Sequence, residues 1–264
     1  QYANRHIYAI GHGCAANWDL NDGKVVELRS ETMPAVEVPQ MTADTGSGGE
    51  PVLSLARLAD IDNAHATLLP ELDDFISGYG SWVASQQDSI AGLPGDDRAA
   101  ATRMTERMNT AVSRMRVSLR LLGDNSQARV AFALANRAML DQMRQHDRLQ
   151  GKPRADDAYR WRPFQLAFLL TTLESTASDD NEFRDTVDLI WFPTGGGKTE
   201  AYLGLIAFQI ALRRLRHPDT GGGTAILMRY TLRLLTRDQF IRATRLICAL
   251  ELIRQERDDL GSVP

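Results

Sequence analysis

A glycine-rich octapeptide, Pro193-Thr194-Gly195-Gly196-Gly197-Lys198-Thr199-Glu200, constrains the fold of this chain more than any other part of its sequence. Three consecutive glycines let a backbone wrap closely around a ligand, because side chains would block the approach. The apolar run 187–192 before the octapeptide predicts a strand, and the amphipathic pattern over 198–216 predicts a helix. A strand, a glycine-rich loop and a helix N-terminus in this order are typical of a phosphate-binding loop.

The residue types of this loop suit a nucleoside triphosphate with its magnesium ion, so ATP and Mg²⁺ are the predicted cofactors. Lys198 is expected to reach the β- and γ-phosphates and the Thr199 hydroxyl to bind Mg²⁺, which makes these two the candidate catalytic residues. Phe192 departs from the usual pattern, which has a glycine six residues before the lysine. The alternative is a glycine turn that precedes Lys-Thr by chance. The other candidate nucleotide contacts in the loop are Thr194, Gly195, Gly196, Gly197 and Glu200.

A short segment upstream of the loop narrows the class of protein. Trp161-Arg162-Pro163-Phe164-Gln165 resembles the Arg-Pro-aromatic-Gln element that superfamily 2 helicases place before their phosphate loop. In those proteins the glutamine carboxamide reads the adenine edge through paired hydrogen bonds, which its donor and acceptor permit. The resemblance implies that Arg162 and Gln165 bind the nucleotide. The alternative is an ordinary helix start at Pro163.

A basic segment follows the loop and is the candidate DNA contact. Residues 198–257 hold 11 basic and 5 acidic residues, although the whole chain has a net charge of −4. Residues 228–239 resemble the helicase motif in which a strand end leads through Pro-Thr-Arg into a helix, with Tyr230 standing where proline is usual. Their side chains would contact phosphates of a nucleic-acid strand without reading its sequence. Alternatively, the arginines cap helices or pair with acidic residues. The candidate DNA-binding residues are Arg229, Thr231, Arg233, Thr236 and Arg237.

Residues 1–150 are predicted to form a mixed domain of strands and helices. Strands are expected at 7–10 and 24–28, with the turn signal Asn21-Asp22-Gly23 between them. Along residues 96–122, apolar residues recur at spacings of three and four, which indicates one buried helix face. The helices of this domain are expected at 70–91, 96–122 and 126–149.

Residues 151–264 are predicted to begin a different domain, because the pattern changes after the polar stretch 151–157. Alternating strands and helices are typical of a parallel α/β sheet. The predicted fold class is therefore α/β: an N-terminal mixed β-strand and α-helical domain, then the first, incomplete part of a RecA-like parallel-sheet P-loop lobe. The predicted elements of this lobe are helix 162–175, strand 187–192, helix 198–216, strand 224–228 and helix 236–257.

Three stretches, 164–170, 189–202 and 227–236, together with 8–15 near the start, resemble the DrmA family, the large helicase subunit of the DISARM anti-phage defence systems. The resemblance implies an ATP-dependent DNA helicase or translocase of the bacterial cytoplasm. Such a protein would bind phage DNA beside a partner subunit and act with a DNA methyltransferase.

Several catalytic groups of such a motor have no candidate in this sequence. No predicted strand after Thr199 ends in the Asp-Glu pair that binds Mg²⁺ and orients the attacking water, and Asp258-Asp259 follow a helix instead. A second helicase lobe and an arginine finger are also missing, and removing such a finger alone slows hydrolysis by about 10³–10⁵. We therefore expect the parent protein to hydrolyse ATP and this 264-residue segment alone to be inactive.

Composition agrees with a protein of the cytoplasm. No apolar run approaches the roughly 20 residues that span a bilayer, so no membrane partner is expected. Cys14 and Cys248 lie far apart, which argues against a disulfide framework and fits a reducing compartment. Two other functions remain open: a P-loop ATPase that remodels proteins, and residues 1–150 as an interaction module for a partner subunit.

Overall fold

The computed structural model describes residues 6–32, 51–192, 196–229 and 233–262, without the side chains of residues 233–236. The chain divides into two compact units, residues 1–42 and residues 43–264. No helix in these described ranges is long and apolar enough to cross a membrane.

The first unit contains an antiparallel β-hairpin formed by β1 (Ala15–Asn21) and β2 (Lys24–Glu31). Asp22 and Gly23 form its two-residue turn, with φ angles of 48° and 72°. Positive φ at both central residues is the geometry of a type I′ turn, whose twist matches that of the flanking strands. The turn signal predicted at Asn21-Asp22-Gly23 is confirmed.

The predicted strand at 7–10 is wrong, since these residues lie in irregular structure and the partner of β2 is β1. The physical reason is the turn. A two-residue loop pairs the residues directly on either side of it, here Asn21 with Lys24, so the partner strand must be the one that ends at Asn21. Apolar character alone favoured residues 7–10 as a strand, whereas the strand that pairs with β2 is the more polar β1.

The second unit is built from helices. Helix α2 contains a kink at Ala64, where the backbone leaves helical geometry, and Pro70 lies six residues further along it. The start of α4 is fixed by Asn125, whose side chain accepts from the Ala128 amide at 3.0 Å. The helices are α1 (Leu55–Ala59), α2 (Ile61–Ser89), α3 (Gly95–Asp124), α4 (Ser126–Leu149), α5 (Pro163–Ala177), α6 (Lys198–Arg216) and α7 (Arg233–Gln255).

Helix α4 lies at the centre of this unit and packs against α1, α6 and α7, while α3 packs against α2 and α5, and α5 against α6. Small residues on α4 let neighbouring helices approach closely. Asn136 is buried on α4 and accepts a hydrogen bond from the indole nitrogen of Trp161 at 2.7 Å, which ties the segment before α5 into the core. The buried alanines of α4 are Ala128, Ala131, Ala133, Ala135 and Ala138.

Helices on both sides of residue 150 therefore share one core in the described ranges, and the domain boundary predicted there stays a prediction. The helices predicted at 96–122, 126–149, 162–175 and 198–216 are present with small differences at their ends. The apolar stripe predicted on α3 is buried at Val112 and Met115, but Met104 is exposed.

The two strands predicted in the second unit are not present. Residues 187–192 and 224–228 have no ladder of hydrogen bonds to another strand in the described ranges. Exposure nevertheless alternates along the first segment: Val187, Leu189 and Trp191 are 92%, 81% and 86% exposed, and the residues between them are half-buried. Alternation with a period of two is typical of a strand that packs one face against the protein. Residues 187–192 have this alternation but no neighbouring strand among the described residues.

Candidate phosphate-loop site

The start of α5 positions the first two candidate nucleotide residues. Pro163 occupies the first turn, where its missing N–H costs no hydrogen bond. The Gln165 side chain folds back so that its Oε1 accepts from the backbone amide of Arg162 at 2.7 Å. This is half of a capping box, and it fixes the orientation of the Gln165 carboxamide. Gln165 is only 4% exposed, so its remaining donor must find a partner within the protein.

That partner belongs to the glycine-rich loop. Nε2 of Gln165 donates to the carbonyl oxygen of Gly197 at 2.7 Å, and Nη1 of Arg162 donates to the carbonyl oxygen of Gly196 at 2.7 Å. The structure therefore brings together four residues that the sequence assigned to one site from positions more than 30 residues apart. In a trans peptide the C=O and N–H groups point in opposite directions. The amides of Gly197 and Lys198 consequently point away from α5.

Gly197 can be replaced by no other residue without strain. Its φ is +86°, in the left-handed region that favours glycine. A Cβ atom built on it would lie 2.7 Å from Nε2 of Gln165 and 3.3 Å from Oε2 of Glu200. Close packing on one side of Gly197, with its amide directed to the other, is what a backbone that cradles an anion requires.

Lys198 begins α6, and its ammonium group reaches back across the loop to donate to the carbonyl oxygen of Phe192 at 2.5 Å. Phe192, at the position where glycine is usual, stacks on Phe164 with ring centroids 4.0 Å apart and planes 16° from parallel. Stacking stabilises a pair of rings beyond the area that it buries. The departure from the usual pattern therefore adds a second link between the start of α5 and the loop.

Two contacts that sequence reasoning missed support this site from other helices. Arg114 of α3, buried, makes a bidentate ion pair with Asp188, with Nη1–Oδ1 and Nη2–Oδ2 distances of 2.6 and 2.8 Å. Its guanidinium also lies 4.7 Å from the centre of the Phe183 ring. On the other side, Arg242 of α7 pairs with Glu200. The spacing of residues in the sequence predicts neither ion pair, because each pair joins segments that are far apart in the chain.

The candidate DNA-binding residues are less completely described. Arg229 and Arg237 are exposed, and α7 begins at Arg233 rather than at the predicted residue 236. Outside the described residues lie Thr194, Gly195 and Thr231, together with the side chains of Arg233 and Thr236. Thr199 lies half-buried in the first turn of α6.

These contacts define a glycine-containing loop that neighbouring side chains orient at the N-terminus of a helix, a class of arrangement suited to anions. No family model matches the chain. The chain is 35% identical to the DISARM protein DrmA of Bacillus paralicheniformis over an alignment of 282 positions that covers 98% of this chain. It spans 25% of the length of that relative. The resemblance to the DrmA family predicted from the sequence is thereby confirmed over nearly the whole chain.

Proposed function

We propose that this chain is the nucleotide-binding beginning of an ATP-dependent DNA helicase or translocase subunit of a bacterial anti-phage defence system. The proposal rests on two hydrogen bonds of 2.7 Å, from Arg162 to the carbonyl oxygen of Gly196 and from Gln165 to that of Gly197. The relationship to DISARM protein DrmA supports a role in defence at the family level. A location in the cytoplasm fits the two free cysteines, Cys14 and Cys248.

The residues of the loop fit a triphosphate. The amides of Gly197 and Lys198 point away from α5, and the partial positive charge of the α6 N-terminus adds to them. Lys198 lies at that terminus, where its ammonium group can exchange the Phe192 carbonyl for phosphate oxygens. Arg162 and Gln165 would meet the base by exchanging their bonds to the loop carbonyl oxygens. Thr194, Gly195 and Gly196 would surround the phosphates, with Glu200 beside them.

Thr199 is the residue that would hold Mg²⁺. It lies in the first turn of α6, directly after Lys198, so a hydroxyl there is close to the phosphates that Lys198 binds. The ion, when bound, neutralises charge that develops on the phosphate oxygens during hydrolysis. Lys198 contributes to the same neutralisation through its fixed positive charge, and both residues are therefore the proposed catalytic groups.

A RecA-like parallel sheet is the finer fold that we propose for this region of the parent protein. The outward side chains Val187, Leu189 and Trp191 form one apolar face of an unpaired segment. A cavity of about 520 Å³ lies between α6, α7 and residues 221–228, and apolar side chains make up most of its lining. Unpaired strand edges and exposed apolar surfaces are normally covered in folded proteins. Neighbouring strands of a parallel sheet would cover both the apolar face of residues 187–191 and the cavity beside α6 and α7.

DNA is the proposed polymer partner. Arg229 and Arg237 are exposed at either side of the start of α7, where long cationic side chains can follow a phosphate backbone. Thr231, Arg233 and Thr236 fall between them in the sequence. Basic residues on this segment would position a strand without reading its sequence.

The parent protein is the proposed ATP hydrolase, and the 264-residue chain alone is expected to be inactive. Asp258 and Asp259 lie in a short helical turn after α7, and Asp259 pairs with Arg257 at 2.6 Å. A hydrogen bond from the Arg257 guanidinium lowers the pKa of the Asp259 carboxyl. Because the carboxylate is already bonded to Arg257, Asp258 and Asp259 do not replace the acidic groups that would orient the attacking water.

A second function, an ATPase that remodels protein partners with residues 1–150 as an interaction module, has one observation in its favour. Trp82 on α2 stacks on Tyr79, yet remains 48% exposed, and Met104 of α3 is 57% exposed. Exposed aromatic and methionine side chains are common at the centres of protein interfaces. A protein subunit that docks on α2 and α3 is compatible with either function.

ATP hydrolysis by the full-length parent, with and without DNA, tests the proposal. Wild-type hydrolysis should rise with DNA, and Lys198→Ala should lower kcat/KM by about 10³ or more, because the phosphates lose their fixed cation. Hydrolysis that ignores DNA would favour the protein-remodelling function instead. Measurable turnover by the 264-residue chain alone, lost in Lys198→Ala, would contradict its predicted inactivity.

A further inference from the structure

We infer that Arg242 of α7 is a positioning residue for the nucleotide: it neutralises Glu200 beside the phosphate loop and so ties nucleotide affinity to the helix that begins in the proposed DNA-binding segment. The inference rests on the proposed function, because it assumes a triphosphate at Lys198. It adds a residue outside the loop and its flanking segments, and it gives α7 a part in nucleotide binding.

Glu200 creates an electrostatic problem for the loop. It stands two residues after Lys198 in the first turn of α6, and a Cβ atom on Gly197 would lie 3.3 Å from its Oε2. Its side chain is only 24% exposed, so water screens its charge weakly. A carboxylate suits a helix N-terminus, but next to a triphosphate it brings like charges together. Unless it is neutralised, Glu200 should oppose nucleotide binding.

Arg242 supplies that neutralisation. Its Nη1 donates to Oε1 of Glu200 at 2.7 Å, and its Nε lies 2.9 Å from Oδ2 of Asp238, one turn earlier on α7. Among the described residues, Oε2 of Glu200 has no hydrogen-bond partner although it is buried. The Arg242 guanidinium thus reaches one of the two oxygens of this carboxylate.

The other contact of Arg242 connects this pair to the proposed DNA-binding segment. Asp238 belongs to the proposed DNA-binding segment 228–239, and its carboxylate shares the Arg242 guanidinium with Glu200. A DNA phosphate bound beside Asp238 would repel its carboxylate and attract the guanidinium, and would change how much of its charge Arg242 shares with Glu200. DNA bound at the start of α7 would in this way alter the charge beside the nucleotide.

Equilibrium binding of Mg-ATP by the full-length protein, without DNA, tests the inference. Arg242→Gln should weaken ATP binding about tenfold, and should raise KM for hydrolysis more than it lowers kcat, because an unneutralised carboxylate repels the nucleotide. Arg242→Lys should recover most of the affinity. Adding Glu200→Gln to Arg242→Gln should also strengthen binding relative to Arg242→Gln alone, since it removes the repelling charge.

Arg245→Gln is the matched control. Arg245 lies three residues further along α7 and contacts His146 of α4 at 2.9 Å rather than Glu200. This variant should bind ATP within about twofold of wild type, which separates a general weakening of α7 from loss of the Glu200 pair. Thermal unfolding of every variant shows that it is folded.

Three outcomes would overturn the inference. In the first, Arg242→Gln binds ATP as wild type does. In the second, the double variant binds as weakly as Arg242→Gln, which would mean that repulsion by Glu200 is not the cause. Either result leaves the proposed function intact. In the third, the wild-type protein binds no nucleotide, and both the inference and the proposed function fail.

Discussion

Helices α6 and α7 both begin after a glycine-containing stretch, yet the two beginnings differ in how the rest of the chain holds them. At α6, Arg162 and Gln165 bind the carbonyl oxygens of the loop, and Lys198 closes it onto Phe192. At α7, the preceding residues 227–229 are exposed. The difference indicates that the proposed nucleotide side is organised by contacts within this chain, whereas the proposed DNA side offers exposed cations.

The far end of α7 extends the comparison. Arg254 binds Glu251 through two contacts of 2.7 Å and donates to the carbonyl oxygen of Gly261 at 2.7 Å. Leu246 and Ile253 on the same helix are buried. Helix α7 is therefore anchored at its C-terminal half, and only its beginning resembles an exposed binding segment.

The largest effect is expected from a substitution in the glycine-rich loop before α6. Gly197→Ala should weaken nucleotide binding about a hundredfold, because alanine is strained at positive φ and its Cβ would displace Gln165. The measurement is equilibrium binding of Mg-ATP by the full-length protein. Gly78→Ala, in the middle of α2 with no atom within 4 Å of the added Cβ, is the control and should bind normally. Normal affinity in Gly197→Ala would show that the loop does not bind nucleotide in this conformation.

A smaller effect is expected from substitutions at the start of α7. The double variant Arg229→Ala with Arg237→Ala should weaken DNA binding about tenfold, and should lower the slope of log affinity against log salt by about 1.5 for two lost phosphate contacts. A salt titration of DNA binding by the full-length protein measures both. Arg103→Ala removes another exposed arginine, on α3, and should change neither. An unchanged slope in the double variant would move the DNA-binding surface elsewhere.

The smallest effect concerns the anchored end of α7. Hydrogen bonding to Arg254 lowers the pKa of Glu251 to about 2, from 4.5. A depressed carboxyl pKa stabilises the folded state above pH 4.5, and this stabilisation is lost as the pH falls toward 2. Glu251→Gln should therefore lower Tm by about 2 °C near neutral pH and by less in acid, as thermal unfolding of the 264-residue chain would measure. An equal decrease at both pH values would mean that charge is not the cause.

The parts that the sequence predicted are those fixed by local chemistry. Pro163 begins α5 as expected, and Asp22-Gly23 forms the hairpin turn because few other residues adopt its backbone angles. Gln165 lies against the loop and donates to the carbonyl oxygen of Gly197, and its contact with a nucleotide stays a prediction. The helices followed from apolar periodicity, which depends on neighbours three and four residues away.

The parts that it missed depend on contacts between distant segments. Nothing in the spacing of Arg242 or Arg114 predicts Glu200 and Asp188 as their partners, because each pair forms only after the helices pack. Residues 187–192 have the alternation of a strand, but strand formation needs a neighbour, and a pattern within one segment does not supply it.

The placement of two tryptophans gives the site its own optical signal. Trp161 precedes Arg162 in the core, 2% exposed and hydrogen-bonded to Asn136, whereas Trp191 lies just before Phe192 and is 86% exposed. An indole in water emits at longer wavelength than one in an apolar core, so the two report separately once Trp18 and Trp82 are replaced by phenylalanine. If ligands rearrange the loop, Trp191 should change its emission while Trp161 holds steady, and loop motion can be followed in real time without any attached dye.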